Sequence, residues 1–272
     1  MRAHMNFVPI IVAIGLAVTA LATSVCAQEA RSKRELTPAF WERDPEAGFE
    51  DKGKMHCAPT AVSDGLIYLA KHEGMTDLVP GFSHTNQITL IQKPAEEFGT
   101  DPSIGGTNPD KIVTGLQKFA KSKGYELNRL EVKTWRWIRA ANKKFKIGTK
   151  PDMSWMQEAV KDEDTIVIFN FGWYRGGDDE SYTRKGGHWV AVLDTGEEDG
   201  EFIVHNPILE PTRQANDTSV TLTLIDDDLA ATNGDKGMNM KGYYEADGPG
   251  LPHGKTVKPI LDAVIVFGLG AR

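Results

Sequence analysis

Three side chains in this 272-residue sequence have types that can do acyl-transfer chemistry together: Cys57, His188 and Asn206. A thiolate attacks a carbonyl carbon, an imidazole takes the thiol proton and returns it, and an amide can orient the imidazole. Cys57 stands at the start of an apolar stretch with helical spacing. A helix N-terminus carries partial positive charge and free N–H groups, which lower a thiol pKa and can hold an oxyanion. His188 follows Gly186-Gly187, which let another chain or a substrate approach closely, and it opens the apolar run 188–194. Asn206 closes the next apolar run, 201–205, directly before Pro207. If the two runs form a hairpin, the end of the second lies beside the start of the first, and Asn206 reaches His188. Each residue alone has a plainer reading: a buried small hydrophobe, a structural histidine and a turn.

The elements that would position them are legible in outline. Ala61, Leu66, Ile67, Leu69 and Ala70 predict a helix over 58–72, with Pro59 in its first turn and Gly74 as its stop. Residues 75–108 read as loop-rich. Asn108-Pro109-Asp110 opens a second helix, 109–123, with Ile112, Leu116, Phe119 and Ala120 on one face. Residues 127–133 alternate as a strand. A short helix follows at 153–161, with Asp152 and Ser154 as available caps. Strands are expected at 165–171, 188–194, 201–205 and 261–268, with 196–200 as a hairpin turn. Residues 174–187 read as a polar, glycine-rich loop beside His188 and a candidate lid. Residues 209–258 read as irregular, apart from a short strand-like 221–225. Helices first and an antiparallel sheet afterwards is an α+β pattern.

The order of the three residues, with the cysteine on an early helix and the others on a later sheet, resembles the papain-like cysteine peptidase superfamily. Within it the pattern is most similar to the bacteriocin-processing (double-glycine) peptidase-like branch. The likeness rests on Cys57-Ala58-Pro59-Thr60-Ala61, on Gly187-His188-Trp189-Val190-Ala191-Val192 and on Asn206-Pro207, and spans about 50–208. It implies a papain-like fold of N-terminal helices packed on a C-terminal antiparallel sheet. It also implies a cysteine peptidase or amidase acting on a peptide or protein through a thioester, with no cofactor. An acyltransferase or transpeptidase would use the same triad. Such enzymes carry a Gln about six residues before the nucleophile as an oxyanion donor, and Asp51 stands there instead. His56 is an alternative donor. A site without that donor could also serve only for binding. Trp173, Tyr174, Gly187 and Trp189 are candidates for the substrate groove.

Residues 1–27 read as a secretory signal peptide: Arg2, an apolar run over 7–22, and small residues before a cut after Ala27. The expected mature chain is a single domain, 28–272, with 209–272 as an elaboration. It is exported, periplasmic or secreted, with no membrane attachment after cleavage. The cut would remove Cys26, one of two cysteines, leaving Cys57 as the sole thiol and no intramolecular disulfide. A net charge of −7 without a Lys/Arg run argues against a nucleic-acid partner. The acidic run Asp178-Asp179-Glu180 reads as a solvated face, so no metal site is expected.

Overall fold

A computed structural model describes residues 31–272, apart from 137, 139–145, 149, 178–180, 216–217, 253, 255 and 272. The signal-peptide reading and the acidic run 178–180 fall outside the described residues. The helices are α1 (Lys33–Leu36), α2 (Cys57–His72), α3 (His84–Phe98), α4 (Pro109–Ser122), α5 (Met153–Lys161) and α6 (Pro211–Gln214). The strands are β1 (Tyr125–Thr134), β2 (Lys146–Gly148), β3 (Ile166–Gly176), β4 (Tyr182–Thr195), β5 (Glu201–His205), β6 (Ser219–Leu224), β7 (Ala230–Asn233), β8 (Lys236–Asn239), β9 (Tyr244–Asp247) and β10 (Val257–Ala271).

Six of these strands close on themselves. β3 pairs with β4, β4 with β5, β5 with β6, β6 with β9, β9 with β10, and β10 returns to β3, every pair antiparallel. β1, β2, β7 and β8 extend the sheet outside this ring. The molecule is therefore mostly β, built on a closed antiparallel barrel. This corrects the expected papain-like α+β fold of helices on a sheet. The cause lies in residues 209–258, which supply β6 and β9. These two strands bridge β5 to β10 and remove the edges an open sheet would have.

Alternation along the strands divides the core. On β3, Val167, Phe169 and Phe171 face the barrel interior with Val190, Val192, Phe202, Val204, Val264 and Val266. Ile166 and Ile168 face the opposite way, against α2 and its neighbours. Helix α2 is buried from Cys57 to Ala70, which accounts for its being apolar or small on nearly every side. Gly65 is needed there, since a Cβ would lie 2.4 Å from the Ile166 side chain. That contact seats the helix on β3 and fixes where its N-terminus points.

Local signals set most boundaries. Asn108 accepts from the Lys111 N–H ahead of Pro109, and Asp152 accepts from the Trp155 N–H. Three expectations fail. Residues 209–258, read as irregular apart from 221–225, carry α6, β6, β7, β8 and β9. Residues 84–98, read as loop, form α3, capped by Ser83 and ended by Gly99 in the left-handed region. The lid reading also fails for most of its length: Tyr174, Arg175 and Gly176 pair with Arg184, Thr183 and Tyr182 in a continued β3–β4 ladder.

Candidate active site

Cys57 is the first residue of α2, and Pro59 falls in the same turn, where no intrahelical N–H is needed. The preceding chain turns sharply through Asp51, Lys52 and Gly53, all at positive φ. His188 lies on β4, and Asn206 follows β5. The structure brings the three together. His188 Nε2 is 2.6 Å from Asn206 Oδ1. The Asn206 amide is fixed on its other side, donating to the Pro249 carbonyl at 2.8 Å. Cys57 Sγ and a ring nitrogen of His188 lie within 4.8 Å of each other, together with a carboxylate oxygen of Glu42. With Nε2 engaged, Nδ1 is the nitrogen left for the thiol.

All three groups are buried, and burial dominates the ionisation of Cys57 and His188. It pushes the Cys57 thiol up to about 12, reinforced by the Glu42 charge. The backbone N–H groups of Trp189, Ala58 and Cys57 pull against it. The expected lowering by the helix N-terminus is therefore present but outweighed. Burial likewise holds His188 down to about 4, against the Asn206 hydrogen bond. At neutral pH the resting pair is a thiol and a neutral imidazole.

Glu42 was not legible as a site residue. It sits in a short polar stretch with Pro45 nearby, which reads as surface. Its backbone N–H donates to the Pro207 carbonyl at 3.0 Å, tying it to the turn that carries Asn206. Its side chain is 1% exposed. Burial pushes its carboxyl up to about 8, against the opposing pull of Arg43, whose Nε is 3.5 Å from Oε1.

The site opens into a cavity of about 630 Å³ lined by Glu42, Cys57, Trp173, Gly187, His188 and Trp189, among others. Trp173 stacks on the His188 ring, centroids 6.2 Å apart and planes 11° apart. Trp189 is buried and donates from Nε1 to the Thr107 carbonyl at 3.1 Å. Tyr174 does not belong to the groove. It follows Trp173 on β3, points to the opposite face, and its hydroxyl donates to Asp262 Oδ2 at 3.0 Å. Asp51 and His56 do not line the cavity either. Asp51 is half exposed and pairs with Lys54 at 3.1 Å. His56 is buried and stacked on Phe49. His205 points away as alternation expects, its Nδ1 3.9 Å from Asp64 Oδ1.

A cluster of charged groups stands behind His188. Arg184 Nε donates to Asp262 Oδ2 at 2.6 Å, and Arg136 Nη2 lies 3.3 Å from Asp262 Oδ1. Both guanidiniums donate to Asn170 Oδ1, at 3.0 and 2.6 Å. Asn170 Nδ2 in turn donates to the His188 carbonyl at 3.1 Å. A register shift between Leu261 and Ala263 places Asp262 in this cluster.

Among the described residues, two groups of side chains have the types and spacing to hold a metal ion. One is Glu42, Cys57 and His188; the other is His72, Glu73 and Asp164, at or near the surface. At the first group the backbone N–H groups act on the sulfur, but burial and Glu42 outweigh them. Among the described residues no helix is long and apolar enough to cross a membrane. No protein-family model, curated protein or solved structure matches this chain.

Proposed function

We propose that this protein is a cysteine hydrolase, a peptidase or amidase, with Cys57 as nucleophile, His188 as base and Asn206 as orienting amide. The carrying observation is the approach of Cys57 Sγ to His188 while the far ring nitrogen is held by Asn206. Cys57 Sγ forms a bond to the carbonyl carbon as the thiol proton passes to His188. The tetrahedral intermediate collapses to a thioester, and the amine leaves with the proton from His188. Water then attacks the thioester, giving its proton to His188, and the thiol regains it as the acid departs. Because the resting pair is neutral, proton transfer accompanies attack and does not precede it. The motif order around Cys57, His188 and Asn206, similar to that of bacteriocin-processing peptidases, supports the same chemistry independently of the fold. The expected site of action is outside the cytoplasm, on the reading of residues 1–27. A peptide library should give turnover that Cys57→Ala abolishes and His188→Ala lowers by about 10²–10⁴-fold. Turnover by Cys57→Ala at the wild-type rate would sink the reading.

A further inference from the structure

The proposed chemistry needs donors for the oxyanion, and similar enzymes add a side-chain donor to the backbone N–H groups at the nucleophile. Position 51, where similar enzymes keep an amide donor, faces solvent and pairs with Lys54. Glu42 occupies the vicinity instead. A carboxylate oxygen of Glu42 lies within 4.8 Å of both Cys57 Sγ and a ring nitrogen of His188. The side chain lines the cavity and is 1% exposed. Among the described residues Oε2 has no hydrogen-bond partner, so one oxygen of a buried carboxyl beside the nucleophile has its bonding capacity unused. Leaving a buried polar atom unpaired is costly. Such a group persists where a ligand completes it.

We propose that Glu42, as a protonated carboxylic acid, is the side-chain donor of the oxyanion hole, replacing the missing amide. This rests on the cysteine-hydrolase reading. A neutral carboxyl has one O–H, and a developing oxyanion next to Cys57 is an acceptor that an ionised carboxylate would repel. The charged and titratable groups around it are Arg43 beside it, Cys57 on α2 and His188 on β4. The remaining cavity cations are Lys54, Lys111, Arg136, Arg184 and Lys185. Burial raises the carboxyl's pKa, and the opposing pull of Arg43 does not overcome it. The carboxyl is therefore mostly neutral up to about pH 8. No proton has to leave it during the reaction; the O–H strengthens its bond as charge grows on the substrate oxygen.

The test separates acylation from alkylation in the full chain. p-Nitrophenyl acetate acylates a thiol through an oxyanion, whereas iodoacetamide alkylates it by displacement without one. Glu42→Ala should slow Cys57 acylation about 10²–10³-fold at pH 6, with iodoacetamide labelling changed less than about threefold. Glu42→Gln keeps the size and a donor, and should stay within about tenfold of wild type. It should also lack the decline in acylation expected of wild type above pH 8. Acylation by Glu42→Ala at the wild-type rate overturns the proposal. So does an equal loss in Glu42→Gln and Glu42→Ala with circular dichroism unchanged. Failure of the underlying reading looks different: acylation would then persist in Cys57→Ala, whatever stands at position 42, and the proposal falls with it.

Discussion

His188 Nε2 lies 2.6 Å from Asn206 Oδ1, so the hydrogen on that nitrogen points at the amide oxygen. The other nitrogen, Nδ1, then keeps its lone pair toward Cys57. The amide oxygen is itself held, accepting from the Ile208 N–H at 3.2 Å, while Nδ2 donates to the Pro249 carbonyl. Orientation and tautomer are thus both imposed from the turn after β5. The imidazole cannot rotate without breaking a buried bond, and a buried unpaired ring nitrogen is costly.

Asn206→Ala removes that restraint. The ring can turn, and the tautomer with Nδ1 protonated no longer competes with a hydrogen-bonded alternative. Turnover should fall about 10- to 100-fold, less than the roughly 10²–10⁴-fold expected for loss of the base. The loss should appear in kcat more than in KM. Asn206→Asp keeps an acceptor and should recover part of it. Steady-state kinetics on the two variants decide the point, and an unchanged kcat in Asn206→Ala would remove the orienting role.

Stability should carry the signature of two of the buried titrating groups, Glu42 and His188. Glu42 has its pKa raised to about 8. Its folded form therefore holds a proton that the unfolded chain releases from about pH 4.5. Stability from this group is full below that value and is lost as pH rises to 8. His188 is held down to about 4. The unfolded histidine binds a proton below about 6.5 while the folded one does not, so acid destabilises between 6.5 and 4. Wild type should lose up to a few kcal/mol between pH 5 and 9 relative to Glu42→Gln. Urea unfolding at several pH values measures it, and parallel curves for the two proteins would count against a buried neutral Glu42.

Asp262 is fully buried, and its carboxylate answers the guanidiniums of Arg184 and Arg136. Asp262→Asn should cost about 3–5 kcal/mol, because it leaves two confined cations without a counter-charge. The Arg184–Asn170 and Arg136–Asn170 bonds run on to the His188 carbonyl. The same variant should therefore lower kcat even where it remains folded. Thermal melts and kinetics at 20 °C test the two effects separately, and a melt within about 1 kcal/mol of wild type would contradict the charge argument.

The parts of this molecule legible in its sequence are those fixed by near neighbours. The start of α2 follows from Cys57-Ala58-Pro59 and an apolar run. The hairpin of β4 and β5 follows from two alternating runs and a glycine turn, and it was enough to bring Asn206 to His188. The barrel was not legible, because β9 is only Tyr244–Asp247 and becomes a strand through its partners β6 and β10. Helix α3 was hidden by Pro94 inside it and by a polar face. Glu42 was hidden because its burial depends on Pro207, far along the chain. The misplacement of Tyr174 was avoidable: once β3 is taken through Gly176, period-two alternation puts Trp173 and Tyr174 on opposite faces.

Gly172 and Gly187 face each other across β3 and β4, and the space their missing side chains leave is filled by the charged cluster. A Cβ at Gly187 would lie 2.4 Å from Arg184 Nη2, 3.0 Å from the Phe171 carbonyl oxygen and 3.2 Å from Asn170 Oδ1. Arg184 cannot simply withdraw, because Nε is bonded to Asp262. A Cβ at Gly172 would lie 2.3 Å from Asp262 Oδ2 and 2.6 Å from the Tyr174 ring. Both Gly→Ala changes should cost about 1–3 kcal/mol through overpacking. Gly187→Ala should also reduce kcat, since it displaces the backbone beside His188. Gly186 offers the comparison: a Cβ there meets Trp173 Cδ1 at 3.2 Å and nothing closer, so Gly186→Ala should cost less stability than Gly187→Ala. Melting temperatures of the three variants, measured side by side, check this. Equal melting of Gly186→Ala and Gly187→Ala would mean that the glycine at 187 is not there to admit Arg184.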